Sequence, residues 1–473
     1  MSLSHGYHLP GLSAALDLDD REVVSAYGGG GKTSFLLRLA EDLAGKRQKA
    51  IFTTTTKLRY PRDFPAVIAT DFQEAAPKLR RLLKRENIVA LGSELLPDAK
   101  MKGVEPSWID RLFADGAAPY ILVEADGAAG RPIKGYAPYE PVLPESTTLL
   151  APLLGLDAVG LPLEAGYVHR PELLIEQIGA EKRQRINADY LIRCLFFMLA
   201  RGKEQAPDAR VIPLLNKADL IAEIRNKALI RKIAEACFTH PDIVRLLITA
   251  LGEKFPLHYI IDIAGSIDNS LGWRPHISCA ILAAGFSRRM GGADKLALTF
   301  DGKTILEHAL ESAVQGGADD VFIVTRPEQV WVEKLFPGEK IRIVKNHFAA
   351  EGMSASVKAA VSSAHPLTQG ILFALGDQPF VEPEVYKDLI QSYRKNLNLV
   401  TFPCYEGKRG NPQLFDRKTW PHLLELQGDQ GGKGILHMLP EQECLGVETA
   451  CPGVVADIDT MEDYGGYGGR WGE

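Results

Sequence analysis

Short apolar runs alternate with amphipathic stretches along most of the 473 residues. In the first half Val23–Ala26, Ala50–Thr53, Ile88–Leu91, Tyr120–Val123, Val211–Leu215 and Ile243–Ile248 read as buried strands, because each run is short and apolar on both alternating faces. Thr33–Ala44 carries Phe35, Leu36, Leu39 and Leu43 at helical spacing. Helical patterns separate most of the strands, which predicts a largely parallel sheet. From Arg131 to Pro162 prolines interrupt the periodicity, and the stretch reads as a long functional loop or an excursion from the sheet. The pattern lapses again over Asp268–His276, with Gly272 and Pro275 as breakers. Ile277–Leu282 then opens a second alternation, with strands expected at Val321–Val324, Ile341–Val344, Ile371–Leu375 and Leu399–Phe402. The expected division is a first domain over 1–268, a linker over 269–276 and a second domain over 277–473.

Composition adds limits. With 46% hydrophobic and 24% charged residues the chain is ordinary globular material, and at roughly 150 residues per domain its length fits two large domains or three. A net charge of −6, from 54 basic and 60 acidic residues, gives no electrostatic footprint for nucleic acid or an anionic membrane. Small anions remain as the ligand class. The six cysteines form no CxxC pair, which argues against a zinc site or a disulfide framework. No apolar run approaches the roughly 18 residues of a membrane span, so a reduced cytoplasmic setting without membrane or nucleic-acid partners is expected.

Candidate chemistry gathers in two places. Ala26-Tyr27-Gly28-Gly29-Gly30-Gly31-Lys32-Thr33 stands between the first strand and the first helix, a Walker-A-like pattern with Ala in the first Gly position. There the amides of Gly28, Gly29, Gly30 and Gly31 can close around phosphate oxygens, Lys32 can offset their charge, and the Thr33 hydroxyl suits Mg²⁺. Glu124 and Asp126 end a buried strand on one extended face, so either can supply the carboxylate associated with Mg²⁺. Asn216, Lys217 and Asp219 show the NKxD spacing of guanine-binding loops, in which the Asp accepts from the base; the competing reading is a helix N-cap at Asp219. This site would take GTP or ATP. Thr53–Thr56 followed by Lys57 either brings hydroxyls near the γ-phosphate or is a β-branched strand end.

The second gathering opens with Leu282-Ala283-Ala284-Gly285-Phe286-Ser287-Arg288-Arg289-Met290-Gly291-Gly292-Ala293-Asp294-Lys295. Small residues here let the backbone approach a nucleotide, while Arg289 and Lys295 can offset triphosphate charge. Asp377, in Gly376-Asp377-Gln378-Pro379, follows a strand at the sheet edge where α/β folds bind ligands. Asp457 and Asp459 supply further acids late in the chain. Asp377 with one of them would hold Mg²⁺ and orient an α-phosphate.

The first set resembles the YqeC-type family, accessory to selenium-dependent molybdenum hydroxylases, over nearly all of residues 15–255. The resemblance rests on GGGGKT, TTTTK, the block Glu124–Gly135, Glu140-Pro141 and Val168-His169-Arg170-Pro171-Glu172. It implies that Arg131, Lys134, His169 and Arg170 contact anions, and that molybdenum hydroxylase apo-enzymes are transient partners. The second set resembles the LAAGxSxRMGxxK signature of MobA-like nucleotidyltransferases, and within them the MocA-type molybdenum cofactor cytidylyltransferase branch over 277–464. That branch implies a cytidine preference from Ala283-Ala284-Gly285, base contacts near Gly352, Ser354 and Ser356, and acceptor contacts at Arg409, Asn411, Asp429 and Lys433. It favours Asp459 over Asp457 as the second acid. Two positions depart from the pattern: Asn411, where the branch commonly has His, and Met461, often Pro.

Together the resemblances imply an α/β chain of a P-loop NTPase-like parallel sheet followed by a Rossmann-like (GT-A-like) nucleotidyltransferase domain. The function implied is transfer of CMP from CTP to molybdopterin, with release of pyrophosphate. The alternative is a transferase acting on another phosphorylated acceptor, with a GTP-regulated chaperone or switch at the N-terminus.

Overall fold

The computed structural model describes residues 9–97, 99–221, 223–263, 274–286, 294–335, 341–458 and 460–468. Of the expected site residues, Ser287, Arg289 and Asp459 lie outside the described residues, as does most of the expected linker. The chain is mixed α/β and divides into two compact units, Gly11–Trp273 and Arg274–Glu473, the latter joined by Met1–Pro10. Each carries its own sheet.

In the first unit the sheet runs Leu257–Asp262, Arg245–Thr249, Leu214–Asn216, Leu149–Gly155, Glu22–Gly28, Tyr120–Glu124, Ala50–Thr54, Ile88–Gly92, Ala66–Ile68, with Arg210–Val211 also on Leu149–Gly155. Every pairing is parallel except that of Leu257–Asp262, which returns antiparallel at the edge. Glu22–Gly28 is buried at all its positions, as a strand covered on both faces must be. The helix Lys32–Gly45 buries Phe35, Leu36, Leu39 and Leu43, the stripe that the spacing predicts.

One expectation is corrected. The stretch Arg131–Pro162 is not only loop: Leu149–Gly155 within it is a fully buried strand directly beside Glu22–Gly28. Pro152 hides it, since proline normally argues against a central strand. The neighbouring ladder is split into Arg210–Val211 and Leu214–Asn216, and continuing its register puts Pro152 opposite Pro213. Two residues without an N–H face each other across the gap.

In the second unit the order is Arg342–Lys345, Asp320–Thr325, His276–Leu282, Thr368–Leu375, Gln413–Asp416, Val400–Tyr405, Lys408–Arg409, with Cys444–Glu448 on Val400–Tyr405. The first four are parallel, and Leu282 pairs with both Val324 and Leu375. The carboxyl ends of three adjacent strands therefore finish together, which is where such sheets bind ligands. Gln413–Asp416 then pairs antiparallel with Thr368–Leu375. The core includes Phe373, Phe415, Trp420, Leu423 and Val357, with the rings of Phe373 and Phe415 tilted at 5.5 Å. Leu9 packs against this core, and Arg417 Nη2 donates to the Pro10 carbonyl at 3.2 Å.

Phe415 also lies directly beneath Gly432, where an added Cβ would stand 2.5 Å from the ring. Phe415→Ala is expected to lower stability by about 3–5 kcal/mol, the range for emptying an aromatic core site, as a reduced midpoint in urea unfolding; Phe415→Leu should cost clearly less.

Candidate nucleotide sites

At the end of strand Glu22–Gly28 the glycine loop turns into helix Lys32–Gly45, whose N-terminus no side chain caps. The loop is packed hard from behind. Gly29 N donates to Leu153 O and Gly30 N to Arg131 O, both at 3.0 Å. Gly30 has φ +78°, and a Cβ there would sit 2.3 Å from Gly155 N, so conformation and space both demand glycine.

Lys32 Nζ turns back to Gly28 O at 2.6 Å and pairs with Asp126 Oδ1 at 3.1 Å. Asp126 also accepts from Gly28 N at 2.9 Å and from Lys134 Nζ at 3.1 Å. Lys134 reaches Glu140 Oε2 at 2.9 Å, and Arg170 joins Glu140 from the other side. This is a chain of charge with Asp126 fully buried and Lys134 only 1% exposed. Thr33 Oγ1 instead donates to Glu124 Oε2 at 2.6 Å. So the two acids that sequence left equivalent are placed differently: Glu124 meets the loop threonine, Asp126 the two lysines.

The electrostatics follow. Burial works to lower Lys32, but Asp126 and then Glu124 hold it above its ordinary value. Burial lifts Glu124, against the Lys32 charge and the Thr33 hydrogen bond. Burial would also lift Glu140, yet Lys134, the Ala137 amide and Arg170 outweigh it and hold the carboxyl below its usual range. His169 is lowered by burial and by Arg170 and Lys134.

Asn216 is brought to the loop: its Nδ2 donates to Gly30 O at 2.7 Å, while its Oδ1 accepts from Thr249 Oγ1 and Leu251 N. Lys217 pairs with Asp157 at 2.7 Å, a partner the sequence did not flag. Asp219 is exposed, and no side-chain cap closes its short turn Ala218–Leu220.

In the second unit a cavity of about 410 Å³ opens at the shared strand ends. Nine expected residues line it: Leu282, Ala283, Ala284, Gly285, Lys295, Gly352, Ser356, Asp377 and Asp429. Met353, from the same expected base loop 352–356, and Phe286 add to the wall; Phe286 had no role assigned from sequence. Lys295 Nζ meets Asp377 Oδ2 at 2.6 Å, with the side chains 11% and 23% exposed. Beside them Gln378 donates to Asp457, and Ile458 N donates to Asp377 O at 3.1 Å. Two distant segments close one wall. Gly352 has φ +104° and would place a Cβ 2.5 Å from Gly428 C, and Ser354 N donates to Gly428 O at 3.0 Å.

Other expected residues stand elsewhere. Ser354 is buried behind the wall. Arg409 stacks on Phe402 at 4.0 Å, Asn411 N bonds Val454 O, and Lys433 is exposed; none of the three lines the cavity. Sequence reasoning missed a cluster at the next strand end: Arg326, Gln329 and Trp331 all donate to Asp294 Oδ2. The signal available was Arg326 itself, a charged residue immediately after a strand beside the signature strand.

Compared with known proteins, residues 279–444 match the MobA-like NTP transferase domain and residues 24–172 match the YqeC protein family. The chain is 29% identical over 194 residues to nicotine blue oxidoreductase of Paenarthrobacter nicotinovorans, covering 40% of this chain and 94% of that one. It is 27% identical over 188 residues to the molybdenum cofactor cytidylyltransferase of Escherichia coli (strain K12), covering 40% and 93%. It is 32% identical over 149 residues to the uncharacterized protein YqeC of the same organism, covering 31% of this chain and 57% of that relative's length.

The lowered Glu140 gives a pH test. A depressed carboxyl contributes stability above its unfolded value, and that contribution is lost as pH falls through the folded value. Thermal unfolding should therefore lose stability on acidification through and below the ordinary carboxylate range. In Glu140→Gln that segment of the curve should be flatter, with lower stability at pH 7.

Proposed function

We propose, for a chain that belongs through residues 279–444 to the MobA-like NTP transferase family and through residues 24–172 to the YqeC family, that the second unit is a molybdenum cofactor cytidylyltransferase and the first a nucleotide-binding accessory domain. The observation that carries this reading is the cavity lined by Leu282, Ala283, Ala284, Gly285, Lys295 and Asp377. It is a slot with small and apolar residues on one side and the Lys295–Asp377 pair on the other, with Glu351 and Asp429 also on its wall, which suits a base on one side and phosphates on the other.

In this reading CTP lies with its base against Ala283, Ala284 and Gly352. Lys295 exchanges Asp377 for phosphate oxygens of the triphosphate, and Arg289 adds a second cation. The terminal phosphate of molybdopterin attacks the α-phosphorus; a new P–O bond forms and the bond to pyrophosphate breaks. Phosphate is already a competent nucleophile, so the chain's residues bind and orient both partners without a protein nucleophile. The acceptor contacts are assigned to Arg409, Asn411, Asp429 and Lys433.

Asp377 fits Mg²⁺, with Asp459 or Asp457 as the second acid: these are hard oxygen donors. The Gln378 beside Asp377 holds Asp457 and keeps a buried Oε1 with no hydrogen-bond partner among the described residues. Bound Mg²⁺ would supply charge stabilisation to the reacting phosphates.

For the first unit the reading is a P-loop NTPase-like sheet taking GTP or ATP at Gly28–Thr33, with Thr33 and Glu124 as the Mg²⁺-bearing pair and molybdenum hydroxylase apo-enzymes as recipients. A second reading, a nucleotide-regulated switch with little turnover, is favoured by one observation: Lys32 is already engaged by Asp126 and Gly28.

Incubating the purified chain with labelled CTP, molybdopterin and Mg²⁺ should yield labelled cytosine dinucleotide and pyrophosphate; no transfer to molybdopterin, while another phosphorylated acceptor takes the nucleotide, would make the alternative correct. Asp377→Ala should reduce transfer by about a thousandfold or more, as expected for losing several kcal/mol of charge stabilisation. Ala284→Gly should lower the ratio of CTP to GTP use; an unchanged ratio would mean that this loop does not select the base.

A further inference from the structure

The signature loop and the Lys295 turn are held together by one half-buried network outside the cavity wall. Arg326, the residue after strand Asp320–Thr325, donates through Nη1 to the Gly285 carbonyl and through Nη2 to Asp294 Oδ2, the latter at 3.3 Å. Asp294 Oδ2 accepts further from Gln329 Nε2 at 2.9 Å and Trp331 Nε1 at 3.3 Å, while Oδ1 accepts from Leu296 N at 3.3 Å and so fixes the turn carrying Lys295. Gln329, nearly fully buried, closes the ring by accepting from Arg326 N at 2.9 Å. The Arg326 guanidinium also lies over the Phe286 ring at 4.8 Å.

A planar, forked cation presents two separate N–H groups, one to the carbonyl and one to the carboxylate, in a fixed relative geometry. A carboxylate with so many donors is held in one orientation and need not be rearranged when ligand binds. In a trans peptide the C=O and the following N–H point in opposite directions. Anchoring Gly285 O on Arg326 therefore turns the Phe286 N–H to the other side, and Gly285 and Phe286 both line the cavity.

We propose that Arg326 and Asp294 are positioning residues of the transferase site: they set the Gly285–Phe286 peptide so that its N–H faces the nucleotide phosphates, and hold Lys295 in register with it. This rests on the reading of the cavity as a nucleotide site. Arg326 acts on affinity through the loop, whereas Asp294 acts on both loop and lysine.

The test uses the full chain as Arg326→Met, Arg326→Lys and Asp294→Asn. Arg326→Met should raise the KM for CTP about tenfold, as for loss of one charge-assisted hydrogen bond, with kcat within about twofold. Arg326→Lys should recover part of that loss, since it keeps the charge but not the planar fork that spans the two acceptors. Asp294→Asn should raise KM and lower kcat together. Hydrogen exchange supplies a readout that does not need turnover: peptides covering 282–286 should exchange faster in Arg326→Met without nucleotide, while those covering 368–375 stay unchanged. Unaltered exchange at 282–286, or a fall in kcat with unaltered KM, would overturn the clamp. If the parent chain transfers nothing from CTP, the cytidylyltransferase reading falls and the exchange result alone decides the clamp.

Discussion

Buried charge at the carboxyl edge of a parallel sheet has to be neutralised, and the two units do so differently. Placing an unpaired carboxylate or ammonium away from water costs several kcal/mol. In the first unit Asp126 is wholly buried and answered by Lys32, Lys134 and the Gly28 amide, with Glu140 and Arg170 extending the chain outward. Removing one member strands the next. In the second unit the Lys295–Asp377 pair keeps partial contact with water, so either partner can exchange for a ligand at far lower cost. The first arrangement is rigid and the second is responsive, although both stand at strand ends beside loops of small residues.

The back wall of the glycine loop comes from the segment whose character was hardest to read. Gly29 and Gly30 bond to Leu153 and Arg131, and Gly155 N bonds to Pro132. The stretch after the acidic strand end is therefore part of the glycine-loop architecture, supplying a strand, a support and the buried Lys134. In the other unit the wall built from Gly352 and Gly428 brings together motifs roughly 75 residues apart in sequence, which only the folded chain reveals as neighbours.

Much of the fold was legible because periodicity is a local signal. The helix stripe of Phe35, Leu36, Leu39 and Leu43 and the strand of Ile277–Leu282 announce themselves within a few residues. Leu149–Gly155 was not legible, since Pro152 is tolerable only given the matching proline on its neighbour. Gln413–Asp416 escaped for another reason: it is four residues long, and its buried Asp416 is acceptable because Tyr393 and Gln369 bond to it. The same division holds at the sites. Contiguous glycine loops and strand-end acids can be read directly. The cluster of Arg326, Gln329 and Trp331 around Asp294 belongs to side chains that meet only in three dimensions. Arg409, Asn411 and Lys433 were named through family resemblance, and they stand outside the cavity wall.

The close packing behind Gly28–Gly31 bears on how such a loop can diversify. Backbone from Pro132, Leu153 and Gly155 lies within bonding distance of where a side chain would begin at Gly28, Gly29 and Gly30, and the Asn216 amide does the same at Gly31. Four consecutive positions thus have no neutral neighbour in sequence space. Altering the surroundings of this loop without straining it is therefore a matter of the residues around it, such as Asp126, Lys134 or Asp157, rather than of the four glycines.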